Sequence, residues 1–471
     1  MDRQRVISIL FGGWAGAALL VLLTVLLLLL IGLVFVHSAA DNMTSSFPGP
    51  YTQSQLKKVI LGLVTMLGIS CLSPRTIERV APIFFGATVA LLVGLLLYKM
   101  AVGGVVRWIR LPGFQFQPSE MVKISTVLMM ATLLRGGLRQ SRWKHVLSIL
   151  GCAAIPFLLI VAQPDVGTAM ILVPTVIAMV WVAQMSKRRL SLLALCTIFL
   201  AGGAWYSPLV KSYHKERILS YAGFEDVEQV DQILATFVQQ SETGNEAGNE
   251  AGNEAGNEAG NEAGNEAGNE AGNEAGNEKP EEVLSDEEKK QVERIKKFLG
   301  LSEVKSIRLG SYQIDQSIIA LASGGPTGKG LHMGRHHDLG YLPEDHNDFI
   351  FAVIGEEWGL QGTLLVLAIF LLLGFTLLGL AWSTRDHFGR LVVVGIATLL
   401  ITQSLVNMAV VIELLPVTGL TLPFISYGGT SIVVSLWGVG VVLSIARHPM
   451  AVTHPDGLKK GSSPVRSRLV H

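Results

Sequence analysis

Apolar residues in this chain come in long runs rather than at helical or alternating spacing. Residues 16–36 hold one polar side chain, Thr24, in twenty-one positions. A bilayer core takes about 20 apolar residues as helix. The run therefore predicts a transmembrane helix and excludes a soluble single-core protein. The basic start Met1-Asp2-Arg3-Gln4-Arg5 and the small residues Ser38-Ala39-Ala40 have the look of a signal peptide. A signal peptide's apolar stretch is shorter, about 7–15 residues, so the run is read as the first span. The same pattern gives ten spans, roughly 14–36, 56–72, 80–98, 119–134, 146–162, 166–184, 190–207, 360–381, 391–412 and 429–446. Several contain Pro or Gly, which membrane helices tolerate where neighbouring helices satisfy the freed backbone groups. The predicted fold class is an all-α polytopic membrane protein of about ten transmembrane helices.

Composition agrees with this reading. Half the residues are hydrophobic and 16% are charged, against about 25% charged in a soluble domain. The net charge of zero hides a segregation: residues 211–348 hold 27 acidic and 13 basic side chains, and the rest of the chain 10 acidic and 24 basic. Lys and Arg set orientation in membrane proteins. With the N-terminus cytoplasmic, segments 1–13, 73–79, 135–145, 185–189, 382–390 and 447–471 carry 18 Lys+Arg, and the short outside loops carry three, Lys99, Arg107 and Arg110. Lys57 and Lys58 are read as a pair at a span boundary. Both termini are then cytoplasmic and 208–348 is one large extracytoplasmic loop. The domains expected are transmembrane helices over 1–207, that loop, three further spans over 349–447, and a basic cytoplasmic tail, 448–471.

Within the loop, residues 244–278 are nine tandem Gly-Asn-Glu units separated by Ala. No side chain there can build a core, so a disordered spacer is expected. A charged surface helix is expected from Ser285 to about Phe298. The three cysteines, Cys71, Cys152 and Cys196, all lie in apolar runs and read as small buried hydrophobes.

Four places put polar residues at span mouths, where membrane enzymes and transporters carry their chemistry. The first is Arg107-Trp108-Ile109-Arg110 with Gln117-Pro118-Ser119-Glu120 and Lys123. Pro118-Ser119 starts a helix, with Ser119 as a candidate cap. Glu120 and Lys123 are i,i+3 neighbours, readable as a local ion pair or as a cationic site for a phosphate-bearing lipid. The second is Asp165, placed to cap the sixth span. The third is Leu342-Pro343-Glu344-Asp345-His346-Asn347-Asp348. There Asp348 is either a helix cap or a carboxylate acting as general base. A helix over 349–381 would be about 50 Å long, so 349–359 is expected to project or re-enter, with Glu356 and Glu357 near the interface. The fourth is Glu413-Leu-Leu-Pro416 through Pro423-Phe-Ile-Ser426-Tyr427-Gly428-Gly429, whose Ser426 and Tyr427 either face a cavity or fix the turn. In the ninth span, Gln403 and Asn407 read as helix-bridging polar residues.

These segments together resemble the SEDS family (shape, elongation, division, sporulation). The resemblance runs through Gln117-Pro-Ser-Glu120 with Lys123, Gln163-Pro-Asp-Val-Gly-Thr168, and Gly324-Gly325 with Gly328-Lys-Gly330. It continues through Leu342–Phe351 with Gly355-Glu-Glu357, and Leu415-Pro-Val-Thr-Gly419 leading to Pro423–Gly429. Pro416-Val417-Thr418-Gly419 looks like the rod-shape-determining branch, RodA, which is favoured. Gly419–Pro423 is closer to the division branch, FtsW. Two departures stand out: His346-Asn347-Asp348 where the family has His-Thr-Asp, and the inflated repeat loop.

The resemblance implies a peptidoglycan glycosyltransferase in the bacterial cytoplasmic membrane. It would polymerise lipid II and release undecaprenyl pyrophosphate, alongside a class B penicillin-binding transpeptidase and the elongation or division machinery. No nucleic-acid partner is expected. By this resemblance Asp348 is the base for the acceptor hydroxyl. Arg107 and Lys123 meet the pyrophosphate, Glu120 orients Lys123, and Asp165, Glu344, His346, Ser426 and Tyr427 line the substrate site. A divalent cation is a candidate cofactor, although no ligand cluster in the sequence supports one. The rivals are a transporter of a lipid-linked precursor and a scaffold. Against the transporter, the candidate charges gather at one side, with no inner set for alternating access.

Overall fold

The computed structural model describes residues 14–41, 48–102, 107–111, 114–137, 143–163, 165–184, 308–334 and 346–448. Among the described residues the chain forms ten α-helices and one β-hairpin. The helices are α1 (Trp14–Asp41), α2 (Pro50–Ser70), α3 (Pro74–Val102), α4 (Pro118–Leu134), α5 (Trp143–Ala162), α6 (Val166–Val182), α7 (Arg308–Gly324), α8 (Ile350–Ser383), α9 (His387–Val411) and α10 (Gly429–Arg447). Between α3 and α4 lies the hairpin β1 (Ile109–Leu111) and β2 (Phe114–Phe116), antiparallel with Ile109 opposite Phe116.

Nine of the ten expected spans coincide with helices. The span at 190–207, the repeat 244–278, the helix expected from Ser285 and the tail from 449 lie outside the described residues. Five helices are long and apolar enough to cross a membrane: Ala15–Asp41, Pro74–Val102, Ile350–Ser383, His387–Val411 and Gly429–Arg447. The protein is a multi-pass membrane protein. One helix, α7, is not among the expected spans. Its sequence mixes Arg308, Gln313, Asp315 and Gln316 with apolar residues, so hydropathy alone passes over it.

The helices share one large apolar core, and glycine and small polar contacts set how closely they approach. α2 runs beside α10, where Trp437 Nε1 donates to Thr65 Oγ1 at 2.9 Å and Ser444 Oγ donates to the Leu72 carbonyl at 2.6 Å. A Cβ on Gly440 would fall 2.7 Å from the Met66 carbonyl oxygen. Close backbone approach of this kind is how helices associate where lipid and protein are equally apolar. Cys71 caps the end of α2 and is exposed, unlike Cys152, which is buried as expected.

Two expectations are corrected. Residues 350–358 do not project: α8 bends at Gly359 (φ 65°), and its first half is packed inside the protein. Glu356 and Glu357 are each 1% exposed, enclosed by protein rather than at a surface. Both carboxylates are tolerated because they have partners: Lys329 Nζ lies 2.6 Å from Glu356 Oε1, and Ser38 Oγ donates to Glu357 Oε1 at 2.5 Å. Ser119 does not cap α4. The helix begins one residue earlier, at Pro118 with Gln117 as cap residue, because proline fits the first turn where no N–H is needed.

Candidate functional site

The site is built around chain that is not helical. Residues 412–428 connect α9 and α10; they are exposed at 412–414 and then turn into the protein, where Leu420, Leu422, Phe424, Ile425 and Ser426 are buried. Irregular backbone at membrane depth survives only where protein satisfies its polar groups. Here side chains do so. Gln403 Nε2 donates to the Thr421 carbonyl at 2.9 Å, and Asn407 Nδ2 to the Leu420 carbonyl at 2.6 Å. Gln55 Nε2 donates to the Ser426 carbonyl at 3.0 Å, and the Leu422 N–H donates to Ser426 Oγ at 2.7 Å. Ser426 therefore fixes the turn. Gly32 on α1 lets the segment in: a Cβ there would fall 2.7 Å from the backbone of Phe424 and Ile425.

Four consecutive residues of this segment touch the supports of three candidate groups. Thr418 abuts Gly167, whose Cβ would lie 2.5 Å from the Thr418 carbonyl oxygen, at the start of the helix that Asp165 caps. Gly419, at φ 69°, lies against Asp348: a Cβ there would be 3.6 Å from Asp348 Oδ2. Asn407 bridges the next carbonyl, Leu420, to the Asp348 carbonyl, 2.8 Å away. Thr421 is held by Gln403, whose Oε1 accepts from Lys123 Nζ at 2.8 Å. Consecutive Cα atoms are 3.8 Å apart, so Thr418 and Thr421 are separated by at most about 11 Å.

Each candidate has a defined setting. Lys123 is 1% exposed and bonds Glu120 Oε1 at 2.9 Å as well as Gln403. The i,i+3 pair expected from spacing is thus a buried ion pair. Asp165 caps α6 by accepting from Thr168 N at 3.3 Å, and its Oδ2 also accepts from Ser119 Oγ at 3.0 Å and Gln117 Nε2 at 3.1 Å. Gln117 N in turn donates to Thr430 Oγ1, which donates to the Gln115 carbonyl. The hairpin and α10 are thereby tied to the Asp165 cluster. Arg107 stands half-buried just before the hairpin. Asp348 does not cap α8. Phe349 occupies the cap position, and the Asp348 carboxylate lies beside Gly419.

His346 and Tyr427 meet. The Tyr427 N–H donates to the His346 carbonyl at 2.8 Å. Their rings and that of Tyr51 form a triangle with centroids 5.2, 5.4 and 5.6 Å apart. Lys58 Nζ lies 3.9 Å from the Tyr427 ring centre. Glu344 lies outside the described residues. No group of three His, Cys, Asp or Glu able to hold a metal occurs among the described residues.

Sequence reasoning missed Gln55, Lys58 and Tyr51. The apolar run starts at 56, which puts Lys58 at a boundary, whereas the helix starts at Pro50. A signal was present. Thr52, Gln55, Val59, Gly62 and Met66 follow helical spacing, and Lys58 falls on that buried face.

With this geometry in place, the sequence matches the cell cycle protein family FtsW/RodA/SpoVE over residues 18–237 and 283–450. It is 30% identical over 440 residues to a probable peptidoglycan glycosyltransferase FtsW of Geobacter sulfurreducens, covering 91% of this chain and 94% of that one. It is 27% identical over 397 residues to the peptidoglycan glycosyltransferase MrdB of Escherichia coli, covering 84% and 85%. Among solved structures, the fold is similar to a chain from a study of polymerization and crosslinking by a peptidoglycan synthase complex. That match has a TM-score of 0.59 and 23% identity, covering 91% of this chain and 97% of that one. The rod shape determining protein RodA of Thermus thermophilus is also similar, with a TM-score of 0.53 and 23% identity over 91% and 95%.

Proposed function

The chain belongs to the FtsW/RodA/SpoVE cell cycle protein family, and from that membership and the site's geometry we propose how it works. It is a peptidoglycan glycosyltransferase that polymerises lipid II. The observation that carries the site assignment is the convergence on Thr418–Thr421. The Asp348 carboxylate lies against the same short segment that Gln403 ties to a buried Lys–Glu pair and that Gly167 packs beside the Asp165 cluster.

In this reading the acceptor sugar's 4-hydroxyl attacks the anomeric carbon of the donor, the glycosidic bond forms, and undecaprenyl pyrophosphate leaves. Asp348 takes the hydroxyl proton as that bond forms. Its backbone is clamped by Asn407, and Gly419 leaves space beside its carboxylate. Such positioning is the condition for general-base work. Arg107 meets the pyrophosphate. Lys123, already bonded to Glu120 and Gln403, holds the Thr421 end of the segment and adds local field rather than a free contact. Asp165 holds the hairpin and α6 against Thr418.

Both termini are cytoplasmic, ten helices span the membrane, and 208–348 is extracytoplasmic, so the site opens where a flipped lipid substrate arrives. The domain limits proposed are spans over 1–207, the external loop with its spacer at 244–278, spans over 349–447, and a basic tail from 448. The membrane is the bacterial cytoplasmic one, and the partner is a class B penicillin-binding transpeptidase. Relatives of both branches match over most of the chain. The elongation branch is proposed on Pro416–Gly419.

The test is Asp348→Asn in purified protein. A lost base costs about 10²–10⁴ in rate, and Asn keeps the size and shape of the side chain. Polymerisation of lipid II should fall by that factor with an unchanged thermal midpoint. Wild-type rates in the variant would defeat the assignment.

A further inference from the structure

Two lysines lie on inward faces among the described residues, and they differ in one respect. Lys123 is bonded to Glu120 and Gln403, so its charge is matched. Lys58 is 8% exposed and has neither a hydrogen bond nor a carboxylate partner among the described residues; its ammonium lies over the Tyr427 ring face. It lies eight residues into α2, about 12 Å from the helix start. A ring quadrupole offsets only part of the cost of taking an ammonium out of water. A charge buried on such terms is a candidate contact for an anionic ligand.

Its surroundings name the ligand class. One turn earlier on the same face, Gln55 has a buried carbonyl oxygen that receives no hydrogen bond, while its amide holds the Ser426 carbonyl. The Tyr427 ring beneath the ammonium packs against the Tyr51 and His346 rings, and His346 is two residues from Asp348. A cation, an unmet acceptor and aromatic faces together suit a group that is anionic on one side and bears sugar hydroxyl or amide donors on the other. We propose that Lys58, with Gln55 and the Tyr51–His346–Tyr427 rings, forms a subsite for the diphosphate–sugar junction of a lipid-linked substrate or product. The proposal rests on the glycosyltransferase reading above and adds to it a residue on α2 that binds the oxyanion. Lys58 binds; it takes no proton.

The test uses the full chain in lipid nanodiscs, with wild type, Lys58→Met and Lys58→Arg. Undecaprenyl pyrophosphate and inorganic pyrophosphate are titrated separately, so a lipid source is told from free phosphate. Lys58→Met removes a charge-assisted hydrogen bond to the ligand and should weaken binding of the lipid diphosphate roughly ten- to a hundredfold. The KM for lipid II should rise by a similar factor, and Lys58→Arg should keep most of the affinity. If only inorganic pyrophosphate binding depends on Lys58, the site is a general anion site and the lipid assignment is overturned. Since Met removes a buried charge, its thermal midpoint should equal or exceed that of wild type. Unchanged affinity for both ligands, or a drop in the midpoint that Arg restores, would make Lys58 a structural support for Tyr427 and overturn the proposal. If the wild type binds undecaprenyl pyrophosphate through Lys58 yet polymerises no lipid II, the subsite stands and the glycosyltransferase reading falls.

Discussion

Lys123 shows how a side chain's pairing can be legible in the sequence while its burial and its third partner are not. Spacing alone placed Glu120 one turn away, and the structure makes that pair a buried one with Gln403 as third partner. Removing one member of a buried pair leaves an uncompensated charge and costs about 3–5 kcal/mol, whereas replacing both by apolar residues is often neutral or stabilising. Glu120→Gln should therefore lower the thermal midpoint markedly. The double variant Glu120→Leu with Lys123→Leu should recover it, while polymerisation stays lost because Gln403 no longer has Lys123 to hold. Recovery of activity in the double variant would show the pair to be structural only. Calorimetry and lipid II polymerisation on the same preparations decide this.

Among the elements, α8 carries the most unexpected geometry. Its bend at Gly359 frees backbone donors, and the turn after α7 receives them. Leu360 N donates to the Gly325 carbonyl at 2.9 Å and Gln361 N to the Pro326 carbonyl at 3.2 Å. In return Lys329 N and Gly330 N donate to the Glu356 and Glu357 carbonyls, each at 3.0 Å. A Cβ on Gly359 would meet this turn's backbone, and the residue sits at φ 65°, where a side chain is strained in any case. Gly359→Ala should cost at least about 1–3 kcal/mol. Gly94 on α3 has nothing within 4 Å of its Cβ position. Gly94→Ala should thus be neutral or stabilise by up to about 1 kcal/mol through helix propensity. Equal thermal midpoints for the two variants would show that the bend is not locked.

At the scale of the molecule, the Lys and Arg asymmetry of 18 against three makes a topological prediction. Single cysteines placed at Ser141 and Ser241, in a variant lacking Cys71, Cys152 and Cys196, should label from opposite sides of the membrane. Labelling of both from outside would overturn the map. The repeat at 244–278 makes another. Loop closure cost rises only slowly with length, so deleting the tract should leave polymerisation and thermal stability nearly unchanged. A loss matching that of Asp348→Asn would give the tract a direct role.

The sequence by itself determined that this chain crosses a membrane several times and where most helices lie. Uninterrupted apolar runs have no soluble solution, and helix caps such as Asp165 are local chemistry. It also carried Gln403 and Asn407 as bridging residues, because a lone amide in an apolar helix must find a partner. Which face of each helix meets lipid and which meets protein was decided only in three dimensions. On α1, Val21, Val25, Leu28 and Phe35 are buried while Leu19, Leu23, Leu26 and Leu30 are exposed. Both sets are equally apolar, since lipid and core demand the same side chains. Tertiary structure alone turned Glu356 and Glu357 inward, carried Lys58 from a supposed boundary to the aromatic triangle, and drew Asp165, Asp348 and Lys123 onto Thr418–Thr421. Those positions depend on partners from 27 to 319 or more residues away, and a local pattern holds no record of them.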